Sequence, residues 1–182
     1  MKFRRMLSVA LLACASPSVA APLEMVEGHA PDGTRFYEDS LVIAASPAAL
    51  FRAFSDPAEF RKWAAPISAV DFRLGGIVEA SYDPAGRIGG PDNIRQAIIA
   101  YVPDRLIVFR NVQAPSGLPG RNVYGQTVKV IEFAGRGDGT TRVTISGIGF
   151  GVGGKFDKLY AFFQPGDGAV LKALDAAYGS RK

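Results

Sequence analysis

From Ala69 to Tyr82, and again in Thr141 to Ile148, apolar residues recur at about every second position, and between Phe156 and Tyr178 they recur at every third or fourth. In the first stretch Val70, Phe72 and Leu74 alternate with Asp71 and Arg73; beyond Gly75-Gly76, Val78, Ala80 and Tyr82 alternate with Glu79 and Ser81. A period of two puts the apolar residues of a strand on one face, and a period of three to four puts those of a helix on one stripe. Strands with a single apolar face pair into an antiparallel sheet that must be covered on that face, and the helix with its apolar stripe is the available cover.

The remaining elements fit that frame. Strands are expected at Ile94 to Val102, Leu106 to Val112, Gln126 to Phe133 and Thr141 to Ile148, separated by Pro103-Asp104-Arg105, a Pro/Gly loop from Ala114 to Val123, and Gly135 to Gly139. An earlier strand, Phe36 to Ala44, runs into Ser46-Pro47, an N-cap followed by a proline at the first helical position, so Ala48 to Phe54 is read as a helix. Asp56-Pro57-Ala58-Glu59 starts a second short helix carrying Phe60 and Trp63, with Asp56 as cap and Glu59 placed to reach back to the cap's N–H. In the C-terminal helix Leu159, Phe162, Phe163, Val170, Leu171, Leu174 and Tyr178 form the stripe, while Pro165-Gly166 is expected to break or kink it and Asp167 to recap the second half.

The N-terminus reads as an export signal. Lys2, Arg4 and Arg5 precede an apolar run from Met6 to Ala15, too short for a membrane span, which needs about twenty residues. Ser18-Val19-Ala20 has the small side chains that a signal peptidase admits, so residues 1–20 are read as a signal peptide cut near Ala20, leaving an extracytoplasmic protein, periplasmic or secreted. A rival reading takes Leu11-Leu12-Ala13-Cys14 as a lipobox with a lipid anchor at Cys14. The mature chain is then a flexible lead-in, residues 21–35, and one domain, residues 36–180, with no transmembrane span.

Removing residues 1–20 takes three of the 21 basic residues and none of the 17 acidic ones, which leaves 18 against 17 and a formal charge of +1 in place of +4. The high isoelectric point is thus mostly a property of the signal, and nothing marks a nucleic-acid surface. The only cysteine is Cys14 and the only histidine His29. Disulfides, structural zinc sites and cysteine nucleophiles are excluded by inventory, and His29, in the lead-in, reads as a solvated loop residue. Gly149-Phe150-Gly151-Val152-Gly153-Gly154 satisfies G-x-G-x-x-G, but no strand follows the helix, so there is no βαβ unit to hold a dinucleotide. No metal and no cofactor is expected.

The order of strand, two short helices, further strands and long helix, together with Trp63, Asp71-Phe72-Arg73-Leu74-Gly75-Gly76, Pro103-Asp104-Arg105-Leu106 and Ser146-Gly147-Ile148-Gly149-Phe150, resembles the SRPBCC superfamily, and within it the activator of Hsp90 ATPase homologue-like domains. The likeness spans Phe36 to Tyr178. It implies an α+β, START-like helix-grip fold: a curved antiparallel sheet of about six to seven strands wrapped on a long C-terminal helix, with two short helices after the first strand and an apolar cavity between sheet and helix. It departs at Asp167, where such domains often carry an aromatic, and at Pro165-Gly166.

The resemblance turns the aromatic set Trp63, Phe72, Tyr82, Tyr101, Phe109, Phe133, Phe150, Phe162 and Phe163 into candidate pocket walls, although the same residues suit an ordinary core. Tyr82, Tyr101, Arg95 and Gln96 are the candidate polar groups, and strand parity keeps Glu79 off the apolar face. The expected partner is a hydrophobic small molecule or lipid, with no general base identifiable. Two other roles follow from the family: a polyketide cyclase/dehydratase-like enzyme using cavity Tyr and Arg groups, and a chaperone-regulator-like domain that binds a protein, which an exported chain would not meet. Oligomeric state is left open.

Overall fold

Eight antiparallel strands lie in the order β1-β2-β8-β7-β6-β5-β4-β3 in a computed structural model that describes residues 22–179. They are β1 Glu24–His29, β2 Arg35–Ile43, β3 Ile67–Val70, β4 Ile77–Ser81, β5 Ile94–Val102, β6 Leu106–Gln113, β7 Val128–Gly135 and β8 Thr141–Phe150. The helices are α1 Pro47–Ser55, α2 Pro57–Trp63 and α3 Gly154–Tyr178. The signal peptide and the Cys14 anchor lie outside the described residues.

The fold is the expected helix grip, with more strand than the pattern disclosed. β1 occupies the segment read as a flexible lead-in and pairs with β2 from Glu24↔Ser40 to His29↔Arg35. Its Met25 and Val26 are half exposed, so no buried face marks it in the sequence. It exists because β2 offers a free row of backbone donors and acceptors. Conversely, Asp71 to Gly76 is a turn, not strand: the Asp71 N–H donates to Ile77 O and the Gly76 N–H to Arg73 O. Leu74 is left exposed there, and a Cβ on Gly76 would collide with Asp71 O.

The first two helices abut because Asp56 serves both. Its extended backbone ends α1, with its N–H donating to Arg52 O at 2.9 Å, and its Oδ1 accepts from Ala58 N–H at 2.7 Å to start α2. Glu59 does not reach back to the cap: it accepts from Lys62 Nζ and from the Tyr178 hydroxyl instead, at 2.7 and 2.8 Å. Thus α2 is fastened to the last turn of α3.

Helix α3 runs without a break through Pro165, correcting the expected interruption. Proline removes one backbone donor, but packing against β2 and β8 holds the helix on both sides of it. Asp167 does not recap the helix. Its side chain turns into the protein and is 2 % exposed.

Two apolar clusters sit under α3. The larger joins Leu50 and Phe54 of α1 to Ile98, Ile107, Ile131, Val143 and Ile145 of the sheet and to Leu171 and Leu174 of α3. The smaller joins Tyr37, Leu118, Tyr124, Phe150 and Leu159. In β5 a bulge between Ile98 and Ala100 restores Tyr101 to the inner face, where it meets Phe72.

A cleft between the sheet and the C-terminal helix

Between the inner face of the sheet and α3 lies a cleft of two lobes that share Tyr82, Gln96, Lys129, Gly166 and Val170. The first, about 290 Å³, is walled by Phe54, Phe60, Trp63, Val78, Phe109, Ile131 and Ile145. The second, about 550 Å³, is walled by Ile94, Tyr124, Phe162 and Phe163 and by Pro115 to Pro119 of the loop after β6. Space exists because α3 presents Gly166, Ala169 and Ala173 to it, small residues three and four apart on one face. Apolar walls with a few placed polar groups are the usual make-up of a small-molecule site.

The polar groups belong to two connected sets. In the first, Lys129 Nζ donates to Asp167 Oδ1, and the Tyr37 hydroxyl donates to Asp167 Oδ2 at 2.7 Å. Lys129 reaches the inner face because it shares strand parity with Ile131 and Phe133. Burial, followed by the Asp167 charge, drives the Tyr37 phenol far above its ordinary pKa. Asp39, two residues along β2 from Tyr37, is fully buried and neither carboxylate oxygen has a hydrogen-bond partner. Burial and then the Asp167 charge raise its pKa to about 6, against a smaller opposing pull from the Gly168 N–H, which lies near the carboxylate without making a geometrically formed hydrogen bond, and from Lys129.

The second set is a one-way chain: Gln96 Nε2 donates to Asn111 Oδ1 at 2.7 Å, Asn111 Nδ2 to Thr127 Oγ1 at 2.8 Å, and Thr127 Oγ1 to Tyr124 O at 2.9 Å. Tyr124 stacks on Phe163 with ring centroids 5.5 Å apart, and its buried hydroxyl has no hydrogen-bond partner. Burial, then Asp167, also raises the pKa of Tyr82, which lines both lobes although the residue is 68 % exposed.

The sequence profile of the polyketide cyclase/dehydrase and lipid transport family matches residues 37–177. The chain belongs to this family. No curated protein matches it in sequence. Among solved structures it is similar to Aha1 of Colwellia psychrerythraea, solved in solution as a dimer, at 14 % identity over 80 % of this chain and 96 % of that one, TM-score 0.62. It is similar to CalU16 of Micromonospora echinospora at 16 % identity, covering 87 % and 86 %, TM-score 0.62, and to Mll3558 of Rhizobium loti at 24 %, covering 85 % and 99 %, TM-score 0.54. At these identities the likeness establishes the SRPBCC fold alone.

Within this polyketide cyclase/dehydrase and lipid transport domain the aromatic candidates divide. Trp63, Tyr82, Phe109, Phe162 and Phe163 line the cleft. Trp63 is held by its Nε1–H donating to Ala53 O at 2.9 Å. Phe72 and Phe133 pack on Phe51, Tyr101 packs on Phe72, and Phe150 packs on Tyr37 and Tyr160. These four fill cores.

Of the polar candidates, Tyr82 and Gln96 line the cleft, and Tyr101 does not. Arg95 lies on the outer face beside Glu79, whose Oε1 accepts from Gly89 N–H and Asn93 Nδ2, both at 2.6 Å. Glu79 is therefore buried, but by the loop after β4 rather than by the cleft. Lys129, Asp167, Asp39 and Tyr124 were not among the sequence candidates, although three of them carry a readable signal: a charge at a position whose neighbours in the strand or helix period are apolar.

The remaining motifs stay apart from the cleft. His29 is the exposed last residue of β1. The glycines after β8 lead to an α3 start already occupied by Asp157, which accepts from Gly153 N–H and pairs with Arg35 at 2.6 Å. Among the described residues no cluster of three or more His, Cys, Asp or Glu is placed to hold a metal, and no helix is long and apolar enough to cross a membrane.

Proposed function

We propose that this chain is an exported binding protein for a hydrophobic small molecule or lipid, held in the two-lobed cleft between the sheet and α3. The observation that carries the reading is the cleft itself: apolar walls from α2, the sheet and α3, with Lys129, Gln96, Tyr82 and Tyr124 as its few polar groups. The family's description, which includes lipid transport, supports it. Residues 21–182, expressed and extracted with organic solvent, are expected to release a bound apolar compound in mass spectrometry. Nothing extracted, and no binding across an apolar panel, removes the reading. The mass of the mature N-terminus tests export: a cut after Ala20 and an acylated Cys14 give different values, and an intact Met1 defeats both.

A second reading, a cyclase/dehydratase-like enzyme, is favoured by the buried Lys129–Asp167–Tyr37 set at the junction of the lobes. An ammonium group held in an apolar cleft polarises a carbonyl and assists proton transfer at the adjacent carbon. Its signature is deuterium exchange at the carbon next to the carbonyl of a bound ketone, lost in Lys129→Met. Exchange no faster than in buffer eliminates it.

A further inference from the structure

We infer that the cleft selects neutral apolar molecules carrying a carbonyl or hydroxyl oxygen and rejects the carboxylate of the same skeleton, an inference that rests on the cleft being the ligand site. Two independent observations carry it, one of charge and one of hydrogen bonding.

Among the described residues Lys129 is the only basic side chain lining either lobe. Its charge is already matched by Asp167, 2 % exposed, and the fully buried Asp39 stands close enough to Asp167 for their charges to repel. The site therefore sums to zero, or to a negative value once Asp39 ionises. A ligand carboxylate entering it would lose its hydration and find no unmatched positive charge, whereas a neutral oxygen loses far less.

The same site holds unused donors. An ammonium group has three N–H bonds and Lys129 directs one to Asp167, while the Tyr124 hydroxyl, in a residue 2 % exposed, has the Gln96 amide close by but makes no formed hydrogen bond and has no acceptor for its O–H. Leaving such a phenol unpartnered is unfavourable, and a ligand oxygen in the second lobe removes the penalty. Beside it the Gln96 amide is fixed by its bond to Asn111, which leaves its Oε1 to accept from a ligand hydroxyl. The ligand oxygen thus belongs between Lys129, Tyr124 and Gln96, with the apolar skeleton extending along the walls.

Three probes of one skeleton test this on the purified protein freed of co-purifying ligand: 2-methylnaphthalene, 2-acetylnaphthalene and 2-naphthoate, titrated by calorimetry at neutral pH. The acetyl compound is expected to bind about tenfold more tightly than either of the others. Tyr124→Phe, which removes an unpartnered hydroxyl and so leaves the fold intact, is expected to lower its affinity towards that of the methyl compound, with the Lys129 donor retaining part of the preference. Asp167→Asn, which keeps a bond partner for Tyr37 and releases the Lys129 charge, is expected to raise naphthoate affinity about tenfold. Tightest binding of naphthoate by the unaltered protein, or equal binding of the methyl and acetyl compounds, overturns the selectivity while keeping the cleft as a ligand site. Failure of all three to bind overturns the selectivity, and if organic extraction also releases nothing it overturns the ligand site with it.

Discussion

The two halves of α3 do different work although one unbroken helix carries both. Beyond Gly168 its buried residues, Leu171 and Leu174, complete an apolar core with α1 and the sheet. Before it, the buried face meets Tyr37, Tyr124 and Phe150, and at the boundary Asp167 draws Lys129 and Tyr37 together. Where the helix fills its groove, the buried groups are apolar; where Gly166 and the alanines leave room, the charges gather. A cleft beside a packed core lets this domain keep charged groups at its centre, because stability and recognition are carried by different faces of the helix: Leu171 and Leu174 point into the core, while Gly166, Ala169 and Ala173 line the cleft.

Substitutions on either side of that boundary test the comparison. The largest effect is expected at Asp167→Ala, which strands a buried Lys129 and the Tyr37 hydroxyl and lowers stability by about 3–5 kcal/mol in urea denaturation, whereas the triple variant Lys129→Met, Asp167→Leu and Tyr37→Phe, which removes every member of the set, stays close to the unaltered protein. If the single change is harmless, the pair is not the organising feature of that half. Leu171→Ala is expected to cost about 2–5 kcal/mol by leaving a cavity, while the preference among ligands is unchanged. A changed preference would mean that the two halves are not separate.

Asp39 gives a pH test of the polar half. With its pKa raised from 3.8 to about 6, the folded protein binds more protons than the unfolded chain between those values, so Asp39 makes stability fall as pH rises from about 4 to about 6. Asp39→Asn is expected to abolish that slope and to leave the protein more stable at neutral pH by about 1–3 kcal/mol. An unchanged slope assigns it to other groups. The smallest effect is expected at the far end: Tyr178→Phe removes the 2.8 Å bond to Glu59 and costs about 0.5–1.5 kcal/mol without reaching the cleft. Thermal denaturation with and without ligand measures both.

Much of the fold was legible because burial imposes a period on sequence. Seven strands, both short helices with their Ser46 and Asp56 caps, and the covering helix follow from alternation and capping chemistry. β1 escaped because an edge strand needs only a partner's backbone, and its exposed Met25 and Val26 show no buried face. The turn at Asp71 to Gly76 was misread as strand because alternation continues through it, although Gly75-Gly76 marked its end.

The site was less legible. An aromatic at an inward position reads the same whether it fills a core, as Phe133 does, or walls a cleft, as Phe109 does on the neighbouring strands. The better signal lay in the charges. Asp39 between Tyr37 and Leu41, Lys129 before Ile131 and Phe133, and Asp167 four residues from both Phe163 and Leu171 each occupy an apolar position of their period. Parity alone places these three on buried faces, since an ionisable side chain is held there only with a specific reason.

By itself, then, the sequence determined the inner strands, the helices and their buried faces, since these depend on neighbours a few residues away. Only the tertiary structure decided that Lys129, Asp167 and Tyr37 meet, that Asp39 goes without a partner, and that small residues on α3 leave a cleft beside them. Those outcomes depend on how far apart β2, β7 and α3 come to rest, and no local period encodes that distance.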